Sequence, residues 1–235
     1  ALMQKIEAKI RHHAQHAKDT NRIRTFARWR LYYYIKILYH SGARPIMSEL
    51  GSIRWNSIDI REDKRHNQSL TAIMRIENGK NGPRTAVMTY AGTRFLLKWR
   101  QICIEFGLGK DDDYVFPHHE GGTLIHWHVG HQLRRLLIKW DLRKLPTGEN
   151  ITLYSWRSSS ITNRLAGGWT VERVATAFNT SIQTISQSYY SEIMQQNLHR
   201  WANHYEEEIH WHSSDIDETR TIKLEIEKSL KKKKK

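Results

Sequence analysis

The sequence of 235 residues is poor in cysteine, in long apolar runs and in acidic residues, and each shortage excludes a class of protein. The one cysteine, Cys103, rules out an internal disulfide framework and fits a reducing compartment. No run approaches the roughly 20 apolar residues that span a membrane. The chain starts in a polar, helix-like stretch rather than a secretory leader. With 39% hydrophobic residues it can nevertheless bury a core.

The shortage of acidic residues leaves a strongly basic chain. Lys and Arg number 38 against 24 Asp and Glu, a formal net charge of +14. Residues 231–235 are all lysine, and removing them leaves +9 for the remaining residues. A body this basic favours a polyanionic partner. The lysine run itself is typical of a solvated, disordered tail.

The sequence has fourteen histidines, which raises the question of a metal site. A structural zinc site is poorly supported, because there is no second cysteine and no carboxylate at a fixed ligand spacing. We therefore expect no metal and no cofactor. The histidines that cluster along the chain are His12, His13, His118, His119, His126, His128, His131, His210 and His212.

The spacing of apolar residues predicts a mainly α protein with a small antiparallel β-sheet, an α+β class. Helices are predicted over 1–20, 25–41, 48–52, 91–106, 123–140, 154–166, 170–178, 181–188 and 191–211, and strands around 58–60, 70–76 and 85–89. We expect one domain over 1–212, with its motifs in 25–190. Residues 213–235 form a charged C-terminal segment that ends in the lysine tail.

Four separated residues suggest one chemistry. Arg44 lies in a Gly-Ala-Arg-Pro turn, Lys80 lies at the tip of a predicted hairpin, and Arg157 begins a predicted helix. Tyr189 follows Arg157 by 32 residues. Two guanidiniums can hold phosphate oxygens, a lysine can protonate a leaving oxygen, and a tyrosine can attack as nucleophile. This set predicts phosphoryl transfer without a metal. Because a helix start disfavours a cation, we expect Arg157 and the dipole of its helix to face one phosphate together.

The motifs around these residues resemble the catalytic domain of the tyrosine recombinases, the phage-integrase family. The resemblance covers residues 25 to 190 in family order. Its matching segments are SGARP at 41–45, ELGSIRWNSI at 49–58, GKNGPR at 79–84, YVFPH at 114–118, LYSWR at 153–157 and FNTSI at 178–182.

The sequence departs from the family pattern at several positions. Tyr154 and Thr180 occupy two positions where the family commonly has histidine, or tryptophan at the second. Ser158 replaces another histidine after the second arginine. Asn179 replaces a glycine, and asparagine is the next best residue for a left-handed backbone. Glu49 is expected to order Arg44 or to cap a helix rather than to act in catalysis.

The resemblance implies a site-specific DNA recombinase that cleaves and rejoins strands through a 3′-phosphotyrosine intermediate. Its catalytic residues would be Arg44, Lys80, Tyr154, Arg157, Thr180 and the nucleophile Tyr189. The implied partners are double-stranded DNA, three further copies in a homotetramer and an accessory DNA-bending protein, with no membrane. The implied setting is phage or mobile-element integration and excision, in a bacterial cytoplasm on nucleoid-associated DNA. The family also places a core-binding domain before the catalytic domain.

Several alternatives remain open from the sequence. The chain could be a type IB topoisomerase-like strand transferase, or a DNA-binding relic that has lost its chemistry along with the histidines at 154 and 180. Tyr189 is preferred over its neighbour Tyr190 because it lies nine residues after Thr180, as in the family variant. The segment 191–211 is expected to dock on a neighbouring subunit, with packing on its own domain as the alternative.

Overall fold

The structure is a computed structural model that describes residues 2–16, 21–63, 69–80, 82–123, 126–188 and 213–232. Its helices are α1 (Leu2–Gln15), α2 (Arg22–Ser41), α3 (Tyr90–Glu105), α4 (His126–Lys139), α5 (Leu153–Ala166), α6 (Val171–Phe178), α7 (182–188) and α8 (Ser213–Lys232). Its strands are β1 (Ile58–Asp63), β2 (Ser69–Ile76) and β3 (Arg84–Val87). The predicted fold class is confirmed.

Helix α2 runs through the main hydrophobic core. It begins after Asn21, whose side chain accepts a hydrogen bond from the N–H of Arg24. Its residues 31–35 are all buried, so the helix is covered on most sides. It ends at Gly42, which adopts a left-handed φ of 64° and donates its N–H to the carbonyl of Leu38. This ending directs the chain straight into Arg44.

The three strands form an antiparallel sheet in the order β1-β2-β3. Ala72, Met74 and Ile76 of β2 are buried, whereas Arg75 between them is exposed, which is the alternation of a sheet covered on one face. Ile76 pairs with Arg84, so the β2–β3 connection carries Lys80 at one end of the sheet.

Helices α5, α6 and α7 form a second, smaller core. Helix α5 begins at Leu153, where the N–H of Thr152 donates to Ser155 Oγ at 3.0 Å. The expectation that Arg157 lies on the first turn of this helix is wrong, because Arg157 is the fifth helical residue and lies on the second turn. The residues that join the three helices are Ile161, Leu165, Val174, Ala175, Phe178 and Ile185.

Helix α8 packs against α3. Ile222 and Ile226 are buried with Leu97 and Ile104 of α3, and Lys98 pairs with Glu218 at 2.5 Å. The segment that the sequence sets apart as charged therefore contributes apolar residues to a third cluster. The domain boundary at 212 stays a prediction.

Two predicted elements differ from the observed ones. The first helix ends at Gln15 rather than near 20, and residues 17–20 lie outside the described residues. The short helix predicted over 48–52 is a single π-helical turn over Met47–Gly51. Among the described helices, none combines the length and the apolar character needed to cross a membrane.

Candidate active site

Arg44 is held in a buried position directly after helix α2. Its side chain is 10% exposed, and Nη1 donates to Glu49 Oε1 at 2.5 Å. Nη2 donates to the carbonyl oxygen of Asn179 at 2.6 Å. The Arg44 side chain therefore joins the turn after α2 to the end of α6, 135 residues later in the chain.

Arg157 reaches the same place from helix α5. Its residue is 6% exposed. Nη2 donates to the carbonyl of Phe178 at 2.6 Å, and Nη1 donates to the carbonyl of Gly42. The guanidinium also lies 5.3 Å from the centre of the Phe178 ring. Gly42 has to be glycine here, because a Cβ built on it would lie 2.4 Å from the Phe178 ring.

The two arginines converge on consecutive carbonyl groups at the C-terminal end of α6, those of Phe178 and Asn179. Helix C-termini carry partial negative charge and favour cations. This corrects the expectation that Arg157 shares a phosphate with the start of its own helix. The side chain of Arg157 extends from the second turn of α5 to α6, and backbone carbonyls, rather than the α5 dipole, compensate its charge.

Glu49 is the buried anion of the site. Its side chain is fully buried, and its carboxylate accepts from the Arg44 N–H at 2.8 Å, from Arg44 Nη1 and from Arg84 Nη2 at 2.7 Å. Burial by itself would raise the pKa of Glu49, but the hydrogen bonds and charges of Arg44 and Arg84 outweigh it and hold this pKa below its ordinary value. Of the two predicted roles for Glu49, the ordering of Arg44 is the one that the contacts support.

The hairpin that carries Lys80 lies beside this carboxylate. Lys80 itself is exposed at the tip. A Cβ built on Gly79 would lie 3.7 Å from Glu49 Oε1 and 2.6 Å from the carbonyl oxygen of Gly82. Arg84, at the other side of the tip, binds Glu49. The structure thus brings the hairpin that carries Lys80 next to Glu49, the same carboxylate that binds Arg44.

The remaining predicted site residues have fewer contacts with the arginines, or lie outside the described residues. Tyr154 is 46% exposed on the first turn of α5. Thr180 is half-buried and directly follows Asn179, which has φ 49° and ψ 58°. The left-handed conformation expected at Asn179 is therefore confirmed. Tyr189, Tyr190 and the segment 191–211 lie outside the described residues. The catalytic roles of Arg44, Lys80, Tyr154, Arg157, Thr180 and Tyr189 stay predictions.

Two arginines of the site were missed by reasoning from the sequence. Arg84 was part of a matching segment but had no role assigned to it. Arg164 lies seven residues after Arg157, on the same side of α5. It donates to the carbonyl of His40 at 2.9 Å and lies 4.6 Å from the Phe178 ring. Burial lowers the pKa of Arg164 to about 10. The helical spacing from Arg157 was the available signal for Arg164.

A separate group of side chains could hold a metal ion. Ligand atoms of His118, His119 and Glu120 lie within 4.8 Å of one another in the loop between α3 and α4. The N–H of Gly121 donates to the carbonyl of His118 at 3.0 Å and closes this loop into a turn. Burial, then the neighbouring His119 and Arg30, lower the pKa of His118, which favours the neutral form that binds metals. None of the arginine contacts described above involves this group.

The arginine cluster is suited to an anion. Arg44 and Arg84 both bind the one carboxylate of Glu49, and Arg157 donates to the nearby carbonyls of Gly42 and Phe178. A cluster with more guanidiniums than carboxylates favours an anionic ligand, and planar guanidiniums match the oxygens of a phosphate group. The site therefore has the chemistry of a phosphate clamp.

The order of elements defines the class of fold. The fold is that of the tyrosine recombinase catalytic domain. A helical layer comes first, a three-stranded antiparallel sheet follows, and the later helices carry Arg157. This confirms, at the level of fold, the resemblance found from the motifs.

Three solved structures illustrate the similarity. XerA recombinase has a TM-score of 0.55 and 17% identity, over 81% of this chain and 61% of that one. XerH site-specific recombinase bound to its difH substrate has a TM-score of 0.57 and 18% identity in a pre-cleavage complex, over 87% of this chain and 52% of that one. Its post-cleavage complex on a palindromic difH substrate has a TM-score of 0.58 and 17% identity, over 86% and 52%.

These similarities lie in structure rather than in sequence. No model of a protein family matches the sequence, and no curated protein sequence does. The chain spans between half and two thirds of the length of the solved recombinases. At these identities the comparison establishes the fold.

Proposed function

We propose that the chain is the catalytic part of a tyrosine-type site-specific DNA recombinase. The observation that carries the proposal is the convergence of Arg44 and Arg157 on the consecutive carbonyls of Phe178 and Asn179. Two guanidiniums from parts of the chain far apart in sequence meet there, and in this proposal they hold one phosphate, with the Lys80 hairpin beside them.

The proposed reaction exchanges one phosphodiester for another. The hydroxyl oxygen of Tyr189 attacks the scissile phosphorus, its proton passes to water, and the bond from phosphorus to the 5′ oxygen breaks. Lys80 gives a proton to that oxygen, so the products are a 3′-phosphotyrosine and a 5′-hydroxyl. A 5′-hydroxyl from a partner strand then reverses the step. Arg44 and Arg157 stabilise the charge that develops on the non-bridging oxygens, which is usually the largest contribution to such catalysis.

The proposed partner is double-stranded DNA. Support comes from the charge of +9 that remains without the lysine tail and from the XerH structures, which hold a difH substrate. The finer parts of the proposal are a homotetramer on DNA, an accessory DNA-bending protein, and a role in phage or mobile-element integration and excision in a bacterial cytoplasm. A catalytically inactive relic is the second candidate. It is favoured by Tyr154 and Thr180, neither of which can transfer a proton as an imidazole does.

Covalent trapping separates these candidates. We would incubate the protein with a pool of nicked duplexes of randomised sequence, isolate the covalent adducts under denaturing conditions, and sequence the attached DNA. A recombinase should give adducts enriched in one site. Adducts on duplexes without sequence preference would instead indicate a type IB topoisomerase-like enzyme, and a complete lack of adduct would indicate the relic.

The nucleophile can be tested with a matched pair of neighbouring tyrosines. Tyr189→Phe should abolish the adduct, because the variant has no hydroxyl to attack phosphorus. Tyr190→Phe should leave the adduct unchanged, since only one of two adjacent side chains can face the phosphate. If Tyr190→Phe alone loses the adduct, the assignment is wrong by one residue.

Binding to duplex DNA should weaken steeply with salt. Release of counterions makes the logarithm of the affinity fall linearly with the logarithm of the salt concentration. Fluorescence anisotropy with a labelled duplex between 50 and 200 mM salt, conditions that we choose to bracket roughly the physiological ionic strength, measures this slope. An affinity that does not change with salt would contradict a basic DNA-binding surface.

A further inference from the structure

We propose that Arg84 is a positioning residue that seats the Lys80 hairpin on Glu49 and thereby sets the position of the lysine ammonium. This inference rests on the proposed function, in which Lys80 protonates the leaving 5′ oxygen. Arg84 does not itself touch the DNA in this proposal. It acts through the hairpin.

The ion pair between Arg84 and Glu49 is buried. Arg84 Nη2 lies 2.7 Å from Glu49 Oε2, and the two side chains are 7% and 0% exposed. Arg84 Nη1 lies 3.5 Å from the carbonyl oxygen of Ala177, and its Nε is buried without a hydrogen-bond partner among the described residues. The charged contact with Glu49 is thus the main polar attachment of this side chain.

Both sides of the hairpin tip approach the same carboxylate. Arg84 is the first residue of β3 and follows Lys80 by four residues. On the other side, a Cβ on Gly79 would lie 3.7 Å from Glu49 Oε1, so the backbone directly before Lys80 also lies close to Glu49. Because Lys80 is exposed, its position depends on how this backbone is held.

Arg44 has attachments that do not involve Arg84. Its Nη2 donates to Asn179, and its Nη1 and backbone N–H both donate to Glu49. Removal of Arg84 therefore leaves the contacts of Arg44 in place but removes the charged anchor of the hairpin. The expected defect is confined to the step that needs Lys80, the protonation of the leaving oxygen.

Replacing the leaving oxygen by sulfur tests this step. A duplex with a 5′-bridging phosphorothiolate releases a thiol, which is far more acidic than the alcohol (the free cysteine thiol has a pKa of about 8.5) and so leaves without a general acid. The substrate carries the site enriched in the adduct experiment, and the measurement is the single-turnover rate of adduct formation. General acid catalysis contributes about 10²-fold to 10⁴-fold. With the ordinary duplex, the Arg84→Gln protein should form adduct about 10²-fold more slowly than the wild type. With the sulfur duplex, it should form adduct at nearly the wild-type rate.

Three further variants complete the comparison. Lys80→Ala should show the same rescue by sulfur, and Arg44→Ala should be slow on both duplexes because it removes charge stabilisation. Arg84→Lys keeps the charge and should recover part of the rate on the ordinary duplex, whereas a purely steric role would give no such recovery. Thermal melting shows whether each variant is folded. If Arg84→Gln is not folded, the rates on the ordinary and sulfur duplexes are compared with Arg84→Lys instead.

The outcomes separate this inference from the proposed function. If wild-type protein forms adduct but Arg84→Gln is equally slow on both duplexes, Arg84 acts through Arg44 and the inference is overturned. A wild-type rate for Arg84→Gln on the ordinary duplex overturns it as well. If wild-type protein forms adduct on neither duplex, the proposed function fails and this inference with it.

Discussion

Replacing Glu49 by glutamine should destabilise the fold severely while keeping the shape of the side chain. The carboxylate is fully buried and accepts three hydrogen bonds from Arg44 and Arg84, at 2.5, 2.7 and 2.8 Å. A glutamine amide retains one acceptor oxygen and turns an NH₂ group toward a donor. Two buried guanidiniums then lack a counter-charge. Removing one partner from a buried ion pair costs about 3–5 kcal/mol.

Equilibrium unfolding in urea measures this loss. If the unfolding free energy depends on the urea concentration as steeply as in the wild type, the variant keeps its compactness. Asp59→Asn is the matched control. Asp59 lies 2.6 Å from Arg61, but these side chains are 44% and 68% exposed. Exposed pairs contribute about 0–1 kcal/mol. If Glu49→Gln costs no more than this control, the buried carboxylate does not hold the arginines together and the reasoning fails.

Two other perturbations have defined outcomes. Gly42→Ala should lower the free energy of unfolding by about 2–4 kcal/mol, because alanine is strained at a φ of 64° and its Cβ would lie 2.4 Å from the Phe178 ring. Gly148 has φ 89° and open space around it, so Gly148→Ala should cost only about 1 kcal/mol. Equal losses in the two variants would show that the clash with Phe178 does not contribute. Burial, then Lys36 and Arg164, lower the pKa of His40 to about 3, so its contribution to stability is complete above pH 6.5 and is lost as the pH falls toward 3. The loss should reach up to about 2 kcal/mol at pH 5 in urea unfolding, and a variant without His40 that declines as steeply would contradict this origin.

Much of the secondary structure follows from local sequence. Apolar periodicity predicted α2 and the helices from α3 to α6 to within a few residues, because each helical pattern depends on neighbours three or four positions away. Asn179 was recognised as a left-handed position from its residue type, and it adopts a positive φ. The fold class followed from the same patterns.

Local sequence gave misleading or incomplete answers where a side chain reaches across the fold. Arg157 looked out of place because its own helix start disfavours a cation, yet its guanidinium lies on the carbonyl groups of Gly42 and Phe178. Arg84 carried no periodic signal that would mark it as a partner of Glu49. The charged appearance of α8 concealed Ile222 and Ile226, which pack on α3.

The sequence by itself determined most of the helices and strands to within a few residues, and which residue types were present for phosphate chemistry. Only the tertiary structure decided which of those residues meet. Arg44 and Asn179 are 135 residues apart, and Arg157 and Gly42 are 115 apart. Periodicity reports on neighbours within a turn or a strand, whereas contacts over such separations depend on how the helical cores and the sheet pack together. The arginine clamp therefore arises from the packing of α2, α5 and α6 around Phe178.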